Sequence, residues 1–474
     1  MRFAAVGLAT ALVYAVLVVW VPLLPGNLYV PLLDLGKITG YTWPAAFTFL
    51  AIVAALYVLY ALGYVLVRNG HAATAAIFAT ATVFAIELIG AYPATAVDVF
   101  GYIAHGRLLA IHGVNPFTVA PAAYPTDTIL PFLAFPTEPS QYGPLWVLLG
   151  DGLALLSRTN LLTEILAYKV TAAVAHVASA ALIMGIRSHI GGTPCQAKAS
   201  AYLFLWNPLL LWEMVGNAHN DGLMMLGGVA ALWLLTHSKY VLVLPALALG
   251  ALVKLPVIVL APLIGLTLWQ RKKSAAIEGF WLALILAVVV YRPFWEGTNT
   301  LTALRRTDLF TASLGSVLRL SLSPQLGSDT ATSLARAISL GAFGIVLGMT
   351  LLRVLRRGPR PLREVDTLGY LTMLAAALLA TTWFQAWYLV WPLALAAPLP
   401  DGRRHLEAAL LSLGGFLQYF VFIYLWVIGV FPPIESLALQ LAAFLGIVGP
   451  PVLGVVLWRY AALTTHTKEV VGAD

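Results

Sequence analysis

The sequence predicts an all-α polytopic membrane protein, and three observations support this fold class. The 474 residues are 61% hydrophobic and only 10% charged, whereas soluble chains carry roughly 25% charged residues. The mean hydropathy is +0.89. Apolar runs recur along the chain, and about 20 such residues cross a bilayer once. These values exclude an ordinary soluble enzyme and a disordered chain, and they predict one membrane domain, 1–474, of about 13–14 transmembrane helices.

The net charge and the cysteine content exclude further classes of partner and site. The net charge is +7, but the basic residues stand in short loops between apolar runs. Membrane topology therefore explains the charge better than nucleic-acid binding does, and no nucleic-acid partner is expected. The single cysteine, Cys195, excludes an intramolecular disulfide and cysteine-based metal sites.

The predicted spans begin with residues 3–24, a run longer than the 7–15-residue core of a signal peptide. We therefore expect an uncleaved first helix. Further spans are predicted at 45–67, 72–92, 164–187, 199–216, 221–236, 240–253, 256–270, 275–293, 332–354, 366–383, 386–400, 407–429 and 435–459. With a cytoplasmic N-terminus, the inner loops hold most Lys and Arg residues, as the positive-inside rule requires. Both termini are then cytoplasmic.

One stretch and two long loops do not fit simple alternation. Residues 144–157 are apolar but short and contain Asp151. Counting them as a span would export the arginine cluster, so they are expected to form a re-entrant or interfacial helix. The outer side then carries loops 93–143 and 294–331. The first is rich in proline and aromatic residues, which predicts a large ordered strap rather than a linker.

The first outer loop contains Asp98, His105 and His112 at seven-residue spacing. On a helix capped by Asp98 and ending at Gly113, these residues would form one polar stripe. We expect this helix to lie on the membrane surface. Each seven-residue step is about 10.5 Å, so the three residues cannot ligate one metal ion together. A capping aspartate with two interfacial histidines is the alternative interpretation.

A second group of polar residues falls between two predicted spans, at their outer end. Glu213, Asn217, His219, Asn220 and Asp221 stand within ten residues. Polar groups near a bilayer are costly and often mark a site. Asparagine side chains both donate to and accept from sugar hydroxyls. The alternative is a polar hairpin that turns the chain in water.

Cations on the outer side form a third group, against the topology rule: Lys254, Arg292, Arg305, Arg306 and Arg319. Fixed cations at this interface suit an anionic lipid headgroup, above all a phosphate. Snorkelling to ordinary phospholipid is the alternative.

A fourth feature is the aromatic run of residues 381–392, which includes Trp387. Its rings could stack on sugars or line a groove for a prenyl chain. An interfacial aromatic belt is the alternative interpretation.

Several motifs occur together in one order. They are Asp98-Val-Phe-Gly-Tyr, Gly113-Val-Asn-Pro-Phe, Gln141-Tyr-Gly-Pro-Leu, Asn207-Pro-Leu-Leu, Gly216-Asn-Ala-His-Asn-Asp, Val253-Lys-Leu-Pro and Trp387-Tyr-Leu-Val-Trp-Pro. The set covers roughly residues 80–400 and resembles the GT-C glycosyltransferases, integral membrane enzymes that use lipid-phosphate sugars. The likeness is greatest to polyprenol- or dolichol-phosphate-mannose-dependent mannosyltransferases, such as bacterial mannan-building enzymes and the first mannosyltransferase of the GPI anchor pathway.

The resemblance implies a GT-C helical bundle with its catalytic carboxylate in the first large outer loop, where Asp98 stands. Many relatives carry Asp-x-Asp there, but the earlier position is Ala96 in this chain. We therefore predict no metal and no other cofactor. The implied reaction transfers a hexose, with mannose favoured, from an outer-leaflet polyprenyl-phosphate sugar to a glycan or glycolipid acceptor. The implied location is a bacterial plasma membrane, with an outward-facing site and inversion at the anomeric carbon.

The candidate site residues follow from these groups. For the donor phosphate we predict Lys254, Arg292, Arg305, Arg306 and His219. For the sugar or acceptor we predict His105, Tyr142, Glu213, Asn217, Asn220, Asp221 and Trp387.

A transporter or lipid flippase is the competing class, and a non-catalytic assembly subunit is a third. Transporters place charges near the bilayer midplane and show repeated halves. This sequence instead gathers its polar groups at one side and shows no obvious halves.

Overall fold

The computed structural model describes residues 1–305, 309–358, 361–400 and 402–471, with side chains except at 302–305, 357 and 461–471. These ranges are predominantly helical and contain no β-strand. Two isolated bridges, Pro22 with Ala91 and Thr311 with Trp383, are the extended pairings found there. The predicted all-α fold class is confirmed.

Ten helices occupy the first half of the chain. They are α1 (Arg2–Trp20), α2 (Leu35–Thr39), α3 (Trp43–Arg68), α4 (Thr74–Ile89), α5 (Asp98–Ala110), α6 (Pro144–Ser157), α7 (Leu161–His189), α8 (Pro194–Leu205), α9 (Pro208–Leu210) and α10 (Asp221–Thr236). Five of these helices, α2, α3, α7, α8 and α9, begin with a side-chain cap. Thr42 accepts from the backbone of α3, and Thr193 forms a capping box with Gln196 on α8.

The second half contains α11 (Val243–Val253), α12 (Ala261–Arg271), α13 (Lys273–Tyr291), α14 (Leu314–Leu326), α15 (Ser328–Arg357), α16 (Leu362–Ala375), α17 (Val390–Ala396), α18 (Gly402–Tyr419) and α19 (Leu437–Val471). Segments of π-helix lie at Leu211–Gly216, Ala376–Ala380 and Phe420–Leu425. Short 3-10 turns lie at Asn27–Tyr29, Pro121–Ala123, Leu130–Phe132, Tyr240–Leu242, Leu255–Leu260, Arg292–Phe294, Gly297–Arg305 and Ala386–Leu389.

Seven of the described helices are long and apolar enough to cross a membrane, and six shorter apolar helices of 10–17 residues accompany them. The polytopic architecture is therefore confirmed, while the predicted 13–14 crossings stay a prediction. The outward faces of the long helices fit this environment. On α13, for example, Phe280, Trp281 and Ile285 are exposed. Such apolar surface is costly in water but suits lipid.

The predicted helix of the first outer loop differs from α5 in two respects. Helix α5 has Val97 at its N-cap, and Asp98, its first residue, forms no capping hydrogen bond. It ends at Ala110 rather than at Gly113. Its place on the membrane surface stays a prediction, but it packs closely on α6: a Cβ atom at Gly106 would stand 2.6 Å from the backbone of Gly150. This close glycine contact draws α5 into the bundle.

A buried ionic network holds the rest of loop 93–143 against α7. The Arg107 guanidinium donates to Glu164 through Nε at 3.1 and 3.2 Å and to Asp127 through Nη1 at 3.0 Å. It also donates to the Thr159 carbonyl at 2.8 Å. Arg107 and Glu164 are almost fully buried, and a buried charge is tolerated when it is paired and hydrogen-bonded. The loop is thus fixed in place.

The structure also describes the predicted short helix 144–157 and most of the predicted second outer loop. Residues 144–157 form the single helix α6; whether it is re-entrant or interfacial stays a prediction. The expected second loop, 294–331, contains the whole of α14 and the start of α15. Ser313 caps the start of helix α14, and its hydroxyl accepts from the backbone of Ser316.

Candidate active site

A cavity of about 430 Å³ lies between α5, the first outer loop, α15 and the aromatic run. Its wall includes charged and aromatic side chains: Asp98, His105, Tyr142, Lys254, Arg336, Trp387, Tyr388 and Trp391. They come from segments far apart in the sequence. The cavity therefore exists only once the bundle has packed.

Asp98 is placed at the cavity wall by the first turn of α5, and its side chain is 28% exposed. The surrounding protein removes much of its hydration, which is the main reason that the pKa of Asp98 is raised to about 6. Lys254 opposes this shift and Asp221 adds to it. A carboxylate with this pKa is ionised at neutral pH and is a stronger base than an ordinary aspartate.

Lys254 provides the positive charge of the cavity. It stands in extended backbone directly after α11, and its Nζ donates to Asp221 Oδ2 at 2.7 Å. The indole nitrogen of Trp391 donates to the other oxygen, Oδ1, at 2.6 Å. Asp221 is fully buried whereas the Lys254 side chain is 13% exposed. Asp221 therefore fixes the ammonium group, and Lys254 presents it to the cavity.

Aromatic rings form much of the remaining wall. Lys254 Nζ lies 5.4 Å from the ring centre of Tyr388 and 6.0 Å from that of Tyr142. Trp387 stacks on His219 with ring centres 4.2 Å apart. These contacts favour the interpretation of the aromatic run as a binding wall over that of an interfacial belt, and Tyr142 and Trp387 both line the cavity as predicted binding residues would.

His105 also lines the cavity. Its Nε2 lies 3.4 Å from the Glu138 carbonyl, and burial lowers the pKa of His105 to about 4. The ring is therefore neutral at physiological pH and can exchange hydrogen bonds with hydroxyl groups. His112 is separated from it: it lies beyond the end of α5, stacked on Tyr124 with ring centres 3.7 Å apart.

Four residues of the second polar group lie behind the cavity wall rather than on it. Glu213, Asn217 and His219 are fully buried, and Asn220 is 1% exposed. They join one network that reaches Asp98. His219 Nδ1 is 3.7 Å from Asp98 Oδ2, and its Nε2 is 3.3 Å from Glu213 Oε2. The group is therefore not a water-exposed hairpin.

Of the other predicted phosphate ligands, His219 is fully buried behind the wall and does not line the cavity. Arg292 is exposed in the turn after α13 and does not line the cavity. Arg306 and the side chain of Arg305 lie outside the described residues. Their roles stay predictions.

Sequence reasoning missed Arg336, a cation of α15 that lines the cavity. Its guanidinium carbon lies 5.9 Å from the ring centre of Phe310, and that of Arg319 lies 5.4 Å from the same ring. The missed signal was an arginine inside the predicted span 332–354, since a charged residue in an apolar span often marks a site. Tyr102 and Thr95, which hold the network behind the wall, carried no comparable signal.

The fold and this cavity define a class: an integral membrane protein whose pocket contains a carboxylate, a fixed ammonium group and aromatic rings. Residues 4–270, more than half of the chain, match the model for the N-terminal domain of the α-(1→6)-mannopyranosyltransferase family. The chain therefore belongs to this family. The match confirms the predicted class of membrane mannosyltransferase.

Relatives from three bacteria agree. The chain is 24% identical over 368 residues to α-(1→6)-mannopyranosyltransferase A of Mycobacterium tuberculosis, covering 72% of this chain and 69% of that protein. It is 26% identical over 400 residues to a probable α-(1→6)-mannopyranosyltransferase of Mycolicibacterium smegmatis, covering 71% and 68%. It is 28% identical over 155 residues to α-(1→6)-mannopyranosyltransferase A of Corynebacterium glutamicum, covering 32% and 30%.

Proposed function

We propose that this protein transfers mannose from a polyprenyl-phosphate mannose donor in the outer leaflet to a glycan or glycolipid acceptor, forming an α-(1→6) linkage. The names of the relatives support the sugar and the linkage. The observation that carries the chemistry is the presence of Asp98 and Lys254 on the wall of one cavity. One group can take a proton, and the other can receive a developing negative charge.

The reaction is a single displacement. The acceptor hydroxyl oxygen attacks the anomeric carbon while Asp98 removes its proton, so the new C–O bond forms as the O–H bond breaks. The bond from the anomeric carbon to the phosphate oxygen breaks, and its electron pair stays on the polyprenyl phosphate. Attack from the side opposite the leaving group inverts the anomeric centre.

Charge grows on the phosphate as it leaves, and fixed cations that stabilise it lower the barrier. Lys254 is held in place by Asp221 and needs no reorganisation to act. Arg336 is the second cation of the wall. His105, Tyr142 and Trp387 would contact the sugar or the acceptor, since they line the same cavity.

A second, apolar cavity supports a lipid donor. It measures about 360 Å³ and is lined by Val346, Met349, Thr350, Arg353, Leu371, Leu374, Ala375, Leu378 and Leu379. Leu379 lines this cavity, and the next residue, Ala380, lines the reaction cavity. On α15 the two cavities together extend from Arg336 to Arg353, about 25 Å at 1.5 Å per residue. This apolar groove would take the prenyl chain while the phosphate stays beside Lys254.

The test is transfer of radiolabelled mannose from a synthetic polyprenyl-phosphate donor to a mannooligosaccharide by purified protein in liposomes. We expect Asp98→Asn to lower turnover roughly 100- to 10,000-fold and Lys254→Gln to lower it roughly 100-fold. Asp151→Asn is the matched control, since Asp151 lies on α6 and does not line the cavity. A parallel reaction with chelator tests the predicted independence of metal.

Near-normal turnover by Asp98→Asn would overturn the base assignment. Vectorial movement of the donor without release of free polyprenyl phosphate would overturn the enzymatic proposal in favour of a transporter.

A further inference from the structure

His219 lies between two carboxyl groups, with one ring nitrogen facing each. Nδ1 is 3.7 Å from Asp98 Oδ2, and Nε2 is 3.3 Å from Glu213 Oε2. The ring is fully buried and is absent from the cavity wall. His219 therefore lies behind the cavity wall, where it faces Asp98 but not the cavity. Any effect of His219 on the reaction would act through Asp98.

The backbone around His219 is built for this placement. Glu213 belongs to the π-helical segment Leu211–Gly216, and such segments are frequent at functional sites. The His219 amide donates to the Glu213 carbonyl at 3.1 Å. Ala218 has φ +60°, a left-handed conformation that costs a non-glycine residue free energy and persists only where its surroundings impose it. Trp387 stacks on the imidazole ring of His219.

The same network holds Glu213 and the segment that leads to Asp98. Asn217 Nδ2 donates to Glu213 Oε2 at 3.1 Å and to Thr95 Oγ1 at 2.6 Å. Trp212 Nε1 donates to the same Thr95 hydroxyl at 2.8 Å. Thr95 precedes α5 by three residues. The position of the Asp98 carboxylate relative to His219 is therefore fixed from both sides.

The charges around this chain determine where its protons lie. Tyr102 faces His219, with its hydroxyl 3.5 Å from Nδ1. Lys254 and Asp221, which pair with each other, both act electrostatically on Asp98. Tyr142, Tyr388 and Tyr419 also face the carboxylates. Burial lowers the pKa of His219 well below its usual value, and the positive charge of Lys254 lowers it further. The imidazole is neutral and carries one proton.

Glu213 is fully buried, and its described polar contacts are the Asn217 amide, the imidazole and the Tyr419 hydroxyl. None of these contacts is a cation. An ionised carboxylate without a cation is costly to bury, so such groups retain their proton. With Glu213 protonated, its hydroxyl donates to His219 Nε2, which leaves the single imidazole proton on Nδ1. That proton points to Asp98.

We propose that His219 is the positioning residue of Asp98, donating its Nδ1 proton to Oδ2, and that protonated Glu213 fixes the imidazole tautomer. This inference rests on the proposed function, in which Asp98 is the base. The hydrogen bond turns the other carboxylate oxygen, Oδ1, towards the acceptor hydroxyl. At 3.7 Å the two atoms are farther apart than a hydrogen bond allows. The proposal therefore requires them to approach when the acceptor orders the cavity, as catalytic groups often do on binding.

The test compares variants that keep or remove each donor. His219→Phe removes the Nδ1 donor; we expect kcat to fall about 10- to 100-fold with little change in donor KM, because misplacing a reacting group costs this much. The acid limb of the kcat/KM profile should move about one pH unit higher, since a hydrogen bond to the ionised form lowers a pKa. His219→Asn retains an amide donor near Nδ1 and should recover much of both properties.

The Glu213 variants test the tautomer. Glu213→Gln keeps an N–H donor for Nε2 and should retain kcat within about threefold, whereas Glu213→Leu should behave like His219→Phe. His176→Gln is the matched control, because His176 is equally buried but on α7, with its Nε2 3.0 Å from the Leu205 carbonyl. It should leave the pH profile unchanged.

The proposal is overturned if His219→Phe lowers kcat and raises KM together with an unshifted pH profile, which is the result of a purely structural role. It is also overturned if His219→Asn, verified as folded by its thermal transition, shows no recovery. An inactivating Glu213→Gln would exclude the protonated form. Asp98→Asn measured in parallel separates the two proposals: if it stays active the base assignment fails, and if it is inactive while His219→Phe is normal only the positioning role fails.

Discussion

Asp98 is the proposed catalytic base, and its two relevant properties, exposure to the cavity and a raised pKa, have different origins. Its exposure to the cavity comes from its place at the start of α5. Its raised pKa comes from desolvation by the surrounding bundle. The sequence, through the resemblance of its motif, located the residue. Only packing determined its basicity, because the groups that desolvate it come from distant segments.

The pH dependence of the wild-type enzyme follows from this pKa. A base acts in its ionised form, so kcat/KM should be maximal above pH 7 and should fall about tenfold per pH unit below pH 6, as Asp98 becomes protonated. Initial rates at subsaturating donor across pH 4.5–8 measure this limb. A profile that stays level down to pH 4.5 would show that no group with a pKa near 6 acts as the base. Retained folding at low pH is checked by tryptophan fluorescence.

At the scale of elements, the junction between the first outer loop and α6 sets the cavity wall. The Gly143 amide donates to the Val253 carbonyl at 2.9 Å, which brings Tyr142 beside Lys254. A Cβ atom at Gly143 would stand 2.0 Å from the Leu252 carbonyl oxygen. The glycine of the Gln141-Tyr-Gly-Pro-Leu motif is thus required by close backbone approach, a reason that the sequence alone did not reveal.

Gly143→Ala should therefore separate α6 from α11 and displace both cavity residues. We expect a loss of about 1–3 kcal/mol in unfolding free energy from overpacking and at least tenfold lower kcat/KM. Gly152→Ala is the control on the same helix, since a Cβ atom there meets nothing within 4 Å; it should be neutral or slightly stabilising. Thermal unfolding in detergent and the transfer assay measure both effects, and equal behaviour of the two variants would contradict the argument.

The groove between α15 and α16 predicts selectivity for the lipid of the donor. Ala375→Trp should fill it and raise KM for a long-chain polyprenyl donor about tenfold, the equivalent of losing about two buried methylene groups. A short-chain donor should be unaffected, because it does not reach that far. Leu352→Trp is the control, since Leu352 lies on α15 but is exposed and does not line the groove. The same KM change with both donors would refute the assignment.

At the scale of the whole molecule, the predicted orientation places the first outer loop outside and Cys195 inside. Cys195 is partly exposed, and Ala123 is exposed within the loop. A membrane-impermeant maleimide should therefore leave wild-type protein in intact cells unlabelled and label it after permeabilisation. Ala123→Cys in a Cys195→Ser background should be labelled in intact cells. Reversal of the two results would place the reaction cavity on the cytoplasmic side.

The sequence also located part of the cavity wall, because some of its signals were local. Lys254 was conspicuous as a cation in an apolar run, and Trp387 as part of an aromatic cluster; both line the cavity. Helix α6 spans the predicted residues 144–157. The predictions for α5 were less accurate: its end differs from the predicted one, and its packing on α6 depends on the contact of Gly106 with Gly150, which no local pattern encodes.

By itself the sequence determined the all-helical membrane fold, the family and the segments that carry the chemistry, because hydropathy and motif order are properties of short stretches. The tertiary structure alone decided which polar residues line the cavity and which lie behind its wall. Lys254 and Glu213 are equally unusual in the sequence, yet Lys254 lines the cavity and Glu213 is fully buried beside His219. The physical reason is that exposure, desolvation and hydrogen-bond partners are set by segments far apart in the chain, so they come into being only when the bundle packs.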